Sequence, residues 1–93
     1  MGSLQFVWDE AKAEANIAKH GVRLEEACEI FFDPLLRFVD ASIPEEARQA
    51  VIGMTSNRTL LFVVHVEIED DAIRIISARP ATSWERSDYE DYA

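Results

Sequence analysis

Apolar residues recur at helical spacing along the first third of the chain and alternate along most of the rest, and the period changes near Asp33-Pro34. Trp8, Ala11, Ala15 and Ala18 form one stripe, and Lys12, Asn16, Lys19 and His20 form a second, polar one. This predicts a helix from the N-cap Asp9 to His20, with Gly21 as its terminator. In the next segment Leu24, Ala27, Cys28 and Phe31 fall at i, i+3, i+4 and i+7, with Glu25, Glu26 and Glu29 turned away. Asp33-Pro34 ends that helix, because proline disfavours helical geometry in its predecessor.

Residues 35–39 then read as a short strand, 40–45 with Pro44 as a loop, and 47–55 as a second strand. Ser56-Asn57-Arg58 is a turn, 59–67 the most β-prone segment, Glu69-Asp70-Asp71 a second turn, and 72–78 the last strand. Such short connections imply an antiparallel meander. Because 59–66 is apolar at nearly every position, it is expected in the middle of the sheet, covered on both faces, with His65 buried and hydrogen-bonded. Pro80 is expected to break the last strand. Thr82 and Glu85 then form a capping box that opens a helix over 83–92, with Arg86 and Tyr89 on neighbouring positions of one face. The fold class is α+β: two N-terminal helices, a four-stranded antiparallel sheet and a C-terminal helix.

A chain of 93 residues makes one domain, 1–93, in which Met1-Gly2-Ser3 reads as a cloning remnant. Hydrophobic content of 48% and charged content of 29% are those of an ordinary globular domain. No run approaches the roughly twenty apolar residues of a membrane span. A single cysteine, Cys28, allows no internal disulfide, and its place on the second helix is that of a core residue. A cytoplasmic location is the expectation. Nothing in the spacing of His20, His65 and the acids suits a metal site, and no cofactor motif is present. Eighteen acidic residues against nine Lys and Arg give a net charge of −9. Nucleic-acid binders are usually basic, because affinity comes largely from neutralising phosphates. A nuclease with this composition must gather its cations on one face.

Several segments together carry a resemblance. Trp8-Asp9, Lys12, Asn16 and Lys19-His20-Gly21-Val22 open it, followed by Glu25-Glu26-Ala27, Phe31 or Phe32, and Asp33-Pro34. Ile52-Gly53, the run Leu60-Leu61-Phe62-Val63-Val64, and Ile73-Arg74-Ile75-Ile76-Ser77-Ala78-Arg79-Pro80-Ala81-Thr82 continue it, and Glu85-Arg86 and Tyr89-Glu90 close it. In this order they resemble the BrnT family over nearly the whole chain. The resemblance implies a RelE-like toxin that cleaves RNA without a metal and is neutralised by an antitoxin encoded beside it. That antitoxin carries the DNA-binding part, and a homodimer or a 2:2 complex is compatible with the partnership. Its motifs map the cations of the site onto Lys19, Arg79 and Arg86, with Glu85 and Tyr89 beside them and Arg48 as a weaker match. Here the C-terminal helix keeps only Arg86, where relatives carry several arginines.

Metal-free cleavage needs a base for the 2′-hydroxyl, cations for the pentacoordinate phosphate and an acid for the leaving 5′-oxygen. Arg79 and Arg86 suit the cation role, since a guanidinium binds two phosphate oxygens and stays charged. Glu85 or His20 can serve as base, and Tyr89 or Lys19 as acid. Lys12, Arg48 and Arg58 are candidates for holding RNA. Each has a plainer role too: Lys19 and His20 at a helix C-terminus, Arg79 paired with Glu85, Arg86 with Glu90, Tyr89 in the core. Trp84 and Tyr92 suit a partner interface, where aromatics are enriched. A second functional reading follows from the acidity and the sparse arginines: a catalytically weakened homologue acting as antitoxin-binding partner or co-repressor.

Overall fold

The computed structural model of the protein describes residues 4–39, 48–69 and 71–91. The expected loop over 40–45, the start of the second strand at 47, Asp70 of the second turn, Tyr92 and the first three residues lie outside them. The elements are β1 (Gln5–Val7), α1 (Glu10–His20), α2 (Leu24–Glu29) with a 3-10 turn (Ile30–Phe32), β2 (Arg37–Val39), β3 (Gln49–Met54), β4 (Leu60–Ile68), β5 (Ala72–Pro80) and α3 (Ser83–Glu90).

The meander β2-β3-β4-β5 is antiparallel throughout and β4 is the middle strand of the whole sheet, but Phe62, Val64 and Val66 are only half-buried, so its α3 face is less covered than the apolar run implied. The sheet has five strands rather than four and is mixed. β1 adds to the edge in parallel with β5, pairing Gln5 with Ala72 and Val7 with Arg74. Three residues leave no periodicity to read, and what fixes them is Phe6, whose ring stands 5.5 Å from that of Phe31. β5 also runs through Pro80 instead of stopping before it. β1 pairs only as far as Arg74, so proline's missing N–H faces no neighbouring strand at that end.

Strand alternation separates two faces. One, carrying Val51, Leu61, Val63, Ile73, Ile75 and Ala78, packs against Leu24, Ala27 and Ile30 of the α2 region and Ala13 of α1. Gly53 lies on this face, where a Cβ would stand 2.7 Å from Cβ of Ile30, so only glycine lets that turn sit down on the sheet. On the other face Ile52 and Leu60 pack with Tyr89 of α3.

Helix starts follow the expected chemistry. Asp9 accepts from Lys12 N, Gly21 closes α1 in the left-handed region at φ 69°, and Thr82 and Glu85 form the capping box of α3. The buried face of α1 is not the alanine stripe. Ala11, Ala15 and Ala18 are exposed, while Ala13 and Asn16 are buried. The cause is polar. Asn16 Nδ2 donates to the carbonyls of Val22 and Ala78 at 2.8 Å each, and its Oδ1 accepts from Ala78 N at 3.1 Å. Three directional bonds outweigh the few methyl groups of an alanine stripe. His65 corrects a second expectation. It is fully buried, with its ring edge-on to Phe31 at 5.0 Å, but neither ring nitrogen has a hydrogen-bond partner among the described residues. Burial holds its pKa below the ordinary histidine value.

Candidate active site

Two local devices meet where β5 hands over to α3. Strand register pairs Arg79 with Phe62, and the guanidinium lies 4.2 Å from the centre of the Phe62 ring, a cation–π stack. The capping box fixes Glu85 at the third position of α3, where its carboxylate accepts from Thr82 N at 2.9 Å. The same carboxylate takes both ends of the Arg79 fork, Nη1 to Oε1 and Nη2 to Oε2, each at 2.8 Å. Nη1 of Arg79 also reaches the Pro80 carbonyl at 3.3 Å. The bond to Glu85 holds the Arg79 pKa above its ordinary value, against the opposing effect of burial. Arg79 in turn holds Glu85 below the usual carboxylate range, helped by the Thr82 backbone bond. The side chains are 33% and 19% exposed, so the pair is reachable from solvent. Beside it runs a groove of about 360 Å³ lined by Val39, Phe62, Trp84, Glu85, Ser87, Asp88 and Asp91.

The other candidates fall in different places. Arg86 is on α3, half exposed, in a loose i,i+4 pair with Glu90 at 3.8 Å. Tyr89 is buried, and its hydroxyl donates to Asp33 Oδ2 at 2.6 Å. Burial and that carboxylate push the phenol up to about 12, which makes Tyr89 a tie between α3 and the end of the 3-10 turn and a poor proton donor near neutrality. Lys19 and His20 end α1, which packs on the opposite face of the sheet from Arg79. Among the described residues no hydrogen bond or ion pair joins either of them to Arg79, Glu85 or Arg86. Lys12 is exposed and lines a separate hollow with Trp8 and Arg74. Arg58 sits in the exposed β3–β4 turn at φ 64°, at the same end of the sheet as Pro80, while Arg48 precedes β3 at the other end. The structure therefore joins Arg79 to Glu85, while Arg86, the next residue along α3, pairs with Glu90 and with neither of them.

Sequence reading missed two participants. Phe62 becomes a stacking platform only through strand register. Asp33 looked like a helix terminator, yet it also accepts from Leu35 N, Met54 N and Tyr89; an Asp before a proline at an element boundary was the only available signal. Among the described residues no group of three or more His, Cys, Asp or Glu side chains is placed to hold a metal ion, and no helix is long and apolar enough to cross a membrane.

These features define a small α+β protein that presents an arginine fork at the end of a central sheet, beside an open groove. The chain belongs to the BrnT family: the model described as "Ribonuclease toxin, BrnT, of type II toxin-antitoxin system" matches residues 8–85. It is thus a ribonuclease toxin of a type II system by family, and such a system supplies a cognate antitoxin as partner. Among solved structures it is similar to the Brucella abortus ribonuclease toxin BrnT, determined at 1.1 Å, with 28% identity and a TM-score of 0.67. The match covers 86% of this chain and 99% of that one. No curated protein matches.

Proposed function

We propose that the chain is an endoribonuclease whose reaction centre is the Arg79–Glu85 pair on the Phe62 ring. The observation that carries this reading is the bidentate pair itself: a stacked, part-exposed arginine whose fork is already spaced for two oxygens of one anion. A phosphate of the substrate competes with Glu85 for that fork. Once displaced, Glu85 loses the main cause of its low pKa and becomes a better base beside the bound phosphate.

In the step that follows, the 2′-oxygen gives its proton to Glu85 and bonds to phosphorus. The P–O5′ bond breaks, the 5′-oxygen takes a proton from an acid or from water, and a 2′,3′-cyclic phosphate remains. Arg79 offsets the charge that builds on the equatorial oxygens. In this reading Arg86, next to Glu85 on α3, steers the neighbouring phosphate, and Arg58, in the turn at the same end of the sheet as Pro80, holds the strand further along. Lys12, Lys19, His20 and Arg48 have at most a peripheral part in this scheme, and Tyr89 a structural one. The antitoxin neutralises the activity and carries the DNA-binding part of the partnership, with the toxin as a homodimer or in a 2:2 complex.

The test is cleavage of single-stranded RNA by purified protein, alongside growth on induction in a bacterium. Arg79→Ala is expected to lower the rate by about 10²–10³-fold and to relieve growth arrest, with Arg79→Lys intermediate, as when one charge-stabilising donor is lost. Cleavage by Arg79→Ala at the wild-type rate would overturn the assignment.

A further inference from the structure

We propose that the groove between β2, β4 and α3 is the docking site for a basic segment of the cognate antitoxin, whose seated side chains cover the Arg79–Glu85 pair. This rests on the toxin reading above.

Four observations converge. Trp84, in the first turn of α3, is 86% exposed, the barest large apolar side chain among the described residues. A bare indole on the rim of a groove is an anchor for a partner's aromatic or cationic side chain. The floor is apolar, made by Val39 and Phe62. The rim is acidic: Glu85, Asp88 and Asp91 line it. Asp88 is tied to Arg37 at 3.1 Å and Glu85 to Arg79, but Asp91 has no cationic partner among the described residues. Glu85 belongs both to the groove and to the pair, so an occupant touching it excludes substrate from Arg79.

Charge decides the occupant. An acidic rim on a chain of net charge −9 repels the RNA backbone and a second copy of the chain, and it attracts a cationic protein segment. The groove and the phosphate fork thus serve different partners, though they share a wall.

The experiment titrates the full-length chain with the purified small protein encoded beside it, by calorimetry at two salt concentrations, and follows RNA cleavage in parallel. Trp84→Ala is expected to weaken binding at least tenfold, and Asp91→Asn about threefold with a shallower salt dependence. Phe32→Ser, at a separate exposed apolar patch where Phe32 is 67% exposed, is expected to bind as wild type. Alone, Trp84→Ala and Asp91→Asn cleave RNA as wild type does, but Trp84→Ala escapes inhibition at antitoxin levels that silence wild type. Trp84→Ala and Asp91→Asn binding with unchanged affinity, or loss of affinity in Phe32→Ser instead, would overturn the docking surface. If wild type binds no antitoxin, the partnership fails and the proposal with it. If wild type binds with this pattern yet cleaves nothing, the reaction centre is wrong and the docking surface stands.

Discussion

The two faces of the sheet are held by different forces. Under α1 and α2 a continuous apolar cluster runs from Val22 and Leu24 through Leu61, Val63 and Ile75 to Ala78, and its stability comes from area removed from water. Under α3 the buried cluster is small, centred on Ile52, Leu60 and Tyr89. There the helix is fastened by directional ties: Tyr89 to Asp33, Arg37 to Asp88, Glu85 to Arg79. Burial closes a face, whereas point ties hold a helix while leaving a groove open beside it. The face with the weaker core is the one that carries the candidate chemistry.

The contrast is sharpest in a core truncation. Leu61→Ala, at a fully buried position under the helices, is expected to cost about 2–5 kcal/mol in urea unfolding. A loss below 1 kcal/mol would mean that this face is not the main source of stability. His65→Leu probes the same face in the opposite direction. It removes two ring nitrogens that have no partner among the described residues and is expected to stabilise by about 1–3 kcal/mol. The pH dependence has a definite sign. A histidine whose folded pKa is depressed binds fewer protons folded than unfolded, so stability falls as pH drops below the unfolded value near 6.5. His65→Leu should flatten that slope, and an unchanged slope would clear His65 of responsibility.

Tyr89→Phe, on the α3 face, removes one tie without opening a cavity and is expected to cost only about 1 kcal/mol. The phenol's raised pKa adds a signature at high pH. Its contribution is intact below the ordinary value of 10.0 and is lost as pH rises towards about 12, because the unfolded chain ionises first. A spectroscopic titration showing a buried tyrosine ionising at 10 would contradict the Asp33 tie.

The sequence and the structure agree where local chemistry decides. Asp9, Gly21, Thr82 and Glu85 each act within a few residues of themselves, so the helix ends were legible. The meander and its middle strand followed from a strong apolar run and short turns. β1 was not legible, since three residues carry no period and its partner lies far along the chain. The buried face of α1 was misjudged because methyl spacing was weighed and the bonding capacity of Asn16 was not. In the site, the Arg79–Glu85 pair was one of the readings the spacing allowed. Phe62 beneath it depended on strand register, and the separation of Lys19 and His20 from it on which face α1 covers.

One consequence of the Asn16 clamp reaches beyond the fold of a single copy. Past Arg74 the outer margin of β5 has no strand beside it among the described residues, and bare backbone of that kind invites another chain to add on laterally and start an aggregate. The carboxamide of Asn16 occupies the N–H and C=O of Ala78, satisfying the backbone much as a neighbouring strand would. A single side chain thus withdraws two backbone groups of that margin from lateral pairing.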